Sequence, residues 1–112
     1  MIYTAITLFA LAAILGMVLL TFVLQGKETP KGIVFSHGPL AAAGLILIII
    51  YAFKESPGPI ESIILFIIAA GGGFVMVFKD ISGKSVPKWL AVIHGLIAIT
   101  GFIFLLVFAF AK

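Results

Sequence analysis

The chain has 112 residues, 63% of them hydrophobic and only 10% charged, with a mean hydropathy of +1.38. A water-soluble domain carries about a quarter of its residues as Asp, Glu, Lys and Arg, so a cytosolic enzyme, a nucleic-acid module and a disordered tail are all excluded. The net charge of +3 comes from scattered lysines with no arginine, too little for nucleic acid, and the lack of cysteine removes disulfides, thiolate metal sites and Cys nucleophiles.

Four uncharged runs follow in chain order: residues 1–26, 32–53, 62–78 and 89–111. A helix needs about 20 apolar residues to cross the hydrocarbon of a bilayer. The first, second and fourth runs meet this directly. The third does so with its flanking Glu61 and Lys79 reaching the interface. The first run lacks the basic start and the small-residue cleavage site of a signal peptide, so it is read as a span. Between the runs, Gly26 and Pro30, Pro57-Gly58-Pro59, and Gly83 and Pro87 stop and restart helices in loops at 25–31, 54–61 and 79–88. The expected fold is all-α and integral to a membrane: one four-helix transmembrane bundle spanning 1–112.

Lysine distribution gives a direction. Lys27, Lys31, Lys79, Lys84 and Lys88 belong to the first and third loops, against Lys54 and Lys112 on the opposite side, where Glu55 and Glu61 offset them. Positive charge stays in the cytoplasm. The first and third loops are therefore expected inside and both termini outside, in a bacterial or archaeal plasma membrane.

Sliding the chain by 57 residues aligns 1–55 with 58–112 without a gap, and 18 of the 55 pairs are identical. The matches include uncommon types: Gly16 with Gly73, Gly26-Lys27 with Gly83-Lys84, Pro30-Lys31 with Pro87-Lys88, and His37-Gly38 with His94-Gly95. Two tandem helical hairpins are therefore expected (repeat 1, 1–55; repeat 2, 58–112). Each has an even number of spans, so both insert the same way round and a pseudo-two-fold axis runs along the membrane normal.

That symmetry sets His37 and His94, the only histidines, at one depth on helices 2 and 4. Each lies about 9 Å beyond its helix start at 1.5 Å per residue. Helices 1 and 3 run the other way, which brings Gly16 and Gly73 to nearly the same level. An imidazole inside a bilayer needs partners for both ring nitrogens. It marks a functional site or a packing hydrogen bond between helices. Four and seven residues after each histidine, on the same helix face, stand Ala41 and Gly44, and Ala98 and Gly101. Close helix packing accounts for part of this small-residue strip. Paired histidines beside the strips, with glycine on both intervening helices, point to a slot for a flat macrocycle whose iron takes one imidazole from each face. The other ring nitrogen then donates to an acceptor, with a backbone carbonyl one turn back as the candidate. Lys27, Lys31, Lys84, Lys88, Ser85 and Trp89 stand near enough to receive the propionates, and the lysines equally serve as topology determinants.

In this pattern, His-Gly-x2-Ala-x2-Gly in both repeats, the chain resembles the small membrane b-type cytochromes. The resemblance implies a four-helix bundle holding haem b between two axial histidines, with His37 and His94 as iron ligands. Gly16, Gly73, Ala41, Ala98, Gly44 and Gly101 would then make room for the porphyrin. Larger relatives carry two His pairs for two stacked haems, whereas this chain has one. Electron transfer or haem carriage is the expected activity, with a quinone or a redox protein as the partner beside the lipid bilayer, and homo-oligomerisation as an option.

The alternative class is a non-haem transporter, channel or assembly subunit that uses the His pair as a hydrogen bond or proton relay, and a quinone- or lipid-binding subunit is a third reading. Glu28, Glu55, Glu61 and Asp80 all fall in or beside loops, which disfavours a transporter driven through a buried acid. No hydrolytic or transferase set is present, and two histidines alone do not close a zinc site. Only Gly73 of the Gly71-Gly72-Gly73 run follows the repeat, so Gly71 and Gly72 are read as helix contact. Pro39, opposite Leu96, is expected to bend helix 2 near His37. Thr7, Thr21 and Thr100 are expected to bond back to their own helices, and the helix 4 phenylalanines to face lipid or core.

Overall fold

The computed structural model describes residues 1–111. Lys112, counted above among the charges of the terminal end, lies outside the described residues. Four helices make up the fold: α1 (Ile2–Leu24), α2 (Lys31–Lys54), α3 (Ile60–Ile81) and α4 (Lys88–Phe110). They have 23, 24, 22 and 23 residues and are each long and apolar enough to cross a membrane. The molecule measures 43 × 20 × 19 Å, and its long axis matches a bilayer of about 40–45 Å with its interfaces.

The punctuation residues explain where the helices stop. Gly26 (φ 69°) and Gly83 (φ 77°) take the left-handed conformation just past α1 and α3. In both places the following lysine N–H returns to a carbonyl five residues back. Lys27 N bonds Phe22 O at 2.9 Å, and Lys84 N bonds Lys79 O at 2.9 Å. This is the Schellman arrangement, which satisfies helix-end carbonyls and favours glycine at the left-handed position. The repeated Gly-Lys pair is thus a repeated helix stop. Pro30, Pro59 and Pro87 then cap the starts of α2, α3 and α4, where a missing N–H costs nothing. Pro39 sits inside α2, which runs unbroken from Lys31 to Lys54.

The helices pack in a ring, α1 on α2, α3 on α4, α1 on α4 and α2 on α3, so α1 faces α3 and α2 faces α4 across the diagonals. The α1–α2 and α3–α4 seams within each hairpin are the most extensive, and α2–α3 is the thinnest. The buried centre comprises Ala5, Phe9, Ile48, Phe66 and Leu105, with Ile2, Ile6, Leu45, Leu47, Ile63 and Phe102 packed against it. Phe9 and Phe66 stack across the α1–α3 diagonal with ring centroids 4.0 Å apart and planes 5° from parallel. Ile48 and Leu105, from the other diagonal, are fully buried. Each of these pairs is separated by 57 residues. With lipid outside as apolar as leucine, close packing of such groups and helix-to-helix hydrogen bonds hold the bundle together. Phe53, Phe74, Phe78 and Phe110 point outward, where water would penalise them and lipid tails do not.

Thr7, Thr21 and Thr100 donate to the carbonyls of Tyr3, Val18 and Leu96 at 3.0, 2.6 and 2.8 Å, back-bonded as the sequence predicts. The α4 phenylalanines divide: Phe102 joins the core, whereas Phe104 and Phe110 are exposed.

Candidate functional site

His37 and His94 stand six residues into α2 and α4, counted from Lys31 and Lys88, on the diagonal pair of helices. Their half-buried rings meet in the bundle interior with centroids 6.2 Å apart and planes at 74°. The Nδ1 of His37 lies 2.8 Å from the carbonyl oxygen of Ala12 on α1, and the Nδ1 of His94 lies 2.7 Å from that of Ala69 on α3. A carbonyl only accepts, so each Nδ1 carries the proton and donates. In the neutral ring this leaves the Nε2 lone pair free. The acceptor is therefore not one turn back on the histidine's own helix, as expected, but across the seam on the partner helix. Every mid-helix carbonyl keeps a second lone pair, and those of Ala12 and Ala69 are the ones an imidazole can approach, because the residue one turn later is glycine.

Glycine makes this reach possible. Gly16 stands one turn after Ala12, and Gly73 one turn after Ala69. A Cβ on Gly16 would come within 3.0 Å of His37 Cε1, and one on Gly73 within 3.3 Å of His94 Cε1. Each imidazole thus lies over a glycine and bonds the carbonyl four residues before it. Gly72 lends further space, its Cβ direction meeting His94 and Leu90 at 3.8–3.9 Å, whereas Gly71 faces open space.

The remaining small residues form a second level. Ala41 and Ala98 are half-buried, one turn beyond each histidine. At Gly44 and Gly101 the space is already filled. A Cβ on Gly44 would touch the Phe9 ring at 3.0–3.1 Å, and one on Gly101 would meet Leu65 Cβ at 3.3 Å and the Phe66 ring at 3.4 Å. The six small residues therefore separate into a pair under the imidazoles, a pair between levels, and a pair seating the phenylalanine stack.

At the loop end, Asp80 on the last turn of α3 receives Lys31 Nζ at 3.0 Å on both carboxylate oxygens and the Thr29 hydroxyl at 2.6 Å. Lys31 also donates to the carbonyl and hydroxyl oxygens of Thr29, at 3.1 and 3.0 Å. Lys31 is thus tied into the bundle, while Lys27, Lys84, Ser85, Lys88 and Trp89 are exposed. Glu28, Glu55 and Glu61 are exposed at helix ends and loops.

Sequence reasoning did not single out Phe9 and Phe66 or the Ala12 and Ala69 carbonyls. The first two are an identical repeat pair, as are the alanines, so a signal was there. Thr29 and Asp80 are matched by Val86 and Val23 in the repeat, so their partnership leaves no trace in the alignment.

The haem implied by the b-type cytochrome pattern can be tested against these residues. One metal between two Nε2 atoms at about 2 Å each, with the ring radii added, asks for imidazole centroids about 6 Å apart. The observed centroid spacing of 6.2 Å has that length, and the two Nε2 lone pairs are the groups that would turn toward the metal. The tautomer is the ligating one, and the level is bordered by glycine on α1 and α3. Among the described residues no group of three or more His, Cys, Asp or Glu gathers as a bare-metal site. Two imidazoles alone would suffice only for a ligand that brings its own equatorial nitrogens. No family model, curated protein or solved structure matches the chain.

Proposed function

We propose that the protein is a membrane haem b protein in which His37 and His94 supply the two axial ligands. The observation that carries this is the pair of imidazoles, both fixed by a carbonyl on Nδ1 and spaced 6.2 Å apart. The cofactor supplies one-electron iron chemistry. The protein's part is to hold and tune it. The carbonyls of Ala12 and Ala69 fix ring tautomer and orientation and raise ligand basicity. Gly16 and Gly73 keep the slot edge free of side chains, with Ala41 and Ala98 on the next turn. The Phe9–Phe66 stack fills the interior on the terminal side of the histidines, so a bound macrocycle would lie toward the loop end, where Lys27, Lys84 and Lys88 would be available to its propionates. Two histidines holding the iron would leave no open site for oxygen activation, which favours electron transfer or haem carriage. The lysine bias puts that end in the cytoplasm, so a redox partner or quinone would approach from there.

A haemin titration of the maltoside-solubilised apoprotein tests the reading. Binding that saturates at one haem per chain, with the sharp Soret band of six-coordinate low-spin iron, is the expected result. A protein that takes up no haemin would overturn it. The two Nε2 lone pairs left free by the Nδ1 bonds would then carry the second reading, a relay in which one imidazole takes up a proton on Nε2 and passes it on to the other.

A further inference from the structure

At the opposite end of the bundle, a cavity of about 330 Å³ is lined by Tyr3, Tyr51, Phe108, Glu55 and Ser56 among others. Its volume is at the lower end of small-ligand pockets, about 300–1,000 Å³. The aromatic walls come from three helices: Tyr3 from α1, Tyr51 from α2 and Phe108 from α4. Tyr51 and Phe108 stand perpendicular, at 88° with centroids 5.9 Å apart, and form a corner. Tyr3 also packs on Phe110, with centroids 5.6 Å apart and planes tilted by 46°. Among the described residues, Glu55, which ends α2, is the charged side chain of the lining.

Ring faces attract cations within about 6 Å of their centroids, and most strongly where several rings converge in a partly desolvated pocket. The helix ends around the cavity offset one another, the starts of α1 and α3 against the ends of α2 and α4, so the Glu55 carboxylate is the anionic group the described lining offers. An inorganic divalent ion asks for six or more oxygen ligands, which one carboxylate does not provide. We propose that this cavity binds an organic ammonium group, methylated or otherwise alkylated, with Tyr3, Tyr51 and Phe108 as its walls and Glu55 as its counter-ion. The cavity lies at the ends of the four apolar helices, the level expected for the membrane interface, so the ammonium arrives either on a free solute or on a lipid headgroup. The inference rests on no part of the haem reading.

The test is an NMR titration of the ¹⁵N-labelled full chain in maltoside micelles with choline and, separately, with 3,3-dimethyl-1-butanol, its uncharged isostere. Choline is expected to shift the amides of Tyr51, Glu55 and Ser56 and to bind at least about tenfold more tightly than the alcohol. Tyr51→Leu and Glu55→Gln each weaken choline by about fivefold or more, whereas Tyr51→Phe, which keeps the ring, stays within about twofold. Unchanged helical circular dichroism confirms that the variants fold. Repeating the titration in phosphatidylcholine and phosphatidylglycerol nanodiscs separates the sources. Choline binding suppressed in the first assigns the site to the lipid headgroup, and equal binding in both assigns it to a solute; either supports an ammonium site. Equal affinity for choline and the alcohol, or no shift with either, overturns the proposal.

Discussion

A glycine in a membrane helix has an ordinary explanation, since it lets helices approach. Gly16 and Gly73 have a narrower one: each lies under an imidazole that bonds the carbonyl one turn before it. Gly16→Ala would put a methyl group 3.0 Å from His37 Cε1, so the ring has to shift by a few tenths of an ångström against its bond to Ala12. Loss of such an outer-sphere hydrogen bond costs about 10–100-fold in metal affinity, so haemin should bind at least about tenfold more weakly. Gly73→Ala, at 3.3 Å, should fall short of that loss. Gly38→Ala and Gly95→Ala, which meet nothing within 4 Å, should leave affinity unchanged. A haemin titration of the four variants checks the order. Equal losses at all four would mean that glycine matters here only for helix packing. The importance of Gly16 and Gly73 could be read from the repeat, because both copies keep a glycine at the level of a histidine. The acceptor carbonyl could not: any backbone can accept, and only the three-dimensional seam decides which one does.

At the scale of single elements, the helix stops are the most legible feature. The Gly-Lys and Pro-Lys pairs, copied 57 residues apart, fall at the left-handed positions and the helix starts. Gly26→Ala and Gly83→Ala force a Cβ into the left-handed region and should each destabilise the fold by about 1 kcal/mol, readable in a sodium dodecyl sulfate unfolding titration. Less legible was how the elements close against one another. Tyr3 packs on Phe110 along the α1–α4 seam. The equivalent positions on α2–α3 are Ile60 and Phe53, where an apolar groove of about 260 Å³ remains and Phe53 is 89% exposed. One substitution between repeats thus separates a filled seam from an open one. Ile60→Tyr should restore the aromatic contact and stabilise the bundle by about 0.5–1 kcal/mol, whereas Tyr3→Ile should open the first seam and cost about as much. The same unfolding titration reads both, and no change in either would show that these rings contribute nothing to closure.

For the molecule as a whole, the paired residues of the core, Phe9 with Phe66 and Ile48 with Leu105, carry the repeat into three dimensions. The chain departs from that symmetry at the loop end, where Lys31, Thr29 and Asp80 link the first hairpin to the second. The repeat offers only valines opposite Thr29 and Asp80, so a pattern of identities conceals this link. Asp80→Asn should loosen one corner of the bundle, by about 1 kcal/mol for a partly exposed charged hydrogen-bond cluster, with the His level intact. Orientation is a whole-molecule property as well, and the cysteine-free sequence makes it easy to test. In intact cells, Ser56→Cys should react with a membrane-impermeant maleimide, and Ser85→Cys only after lysis. The reverse pattern would invert the lysine-based direction.

The central claim is that the two histidines meet on one iron. The most direct measurement is the absorption spectrum of the purified protein, oxidised and dithionite-reduced, for the wild type, His37→Ala and His94→Ala. A wild-type protein with haem held by both histidines should be low-spin, with sharp, split visible bands on reduction. Each single variant should lose that signature, by conversion to a five-coordinate high-spin spectrum or by loss of haem. A wild-type spectrum unchanged in either variant would contradict it, because that histidine could not then be a ligand.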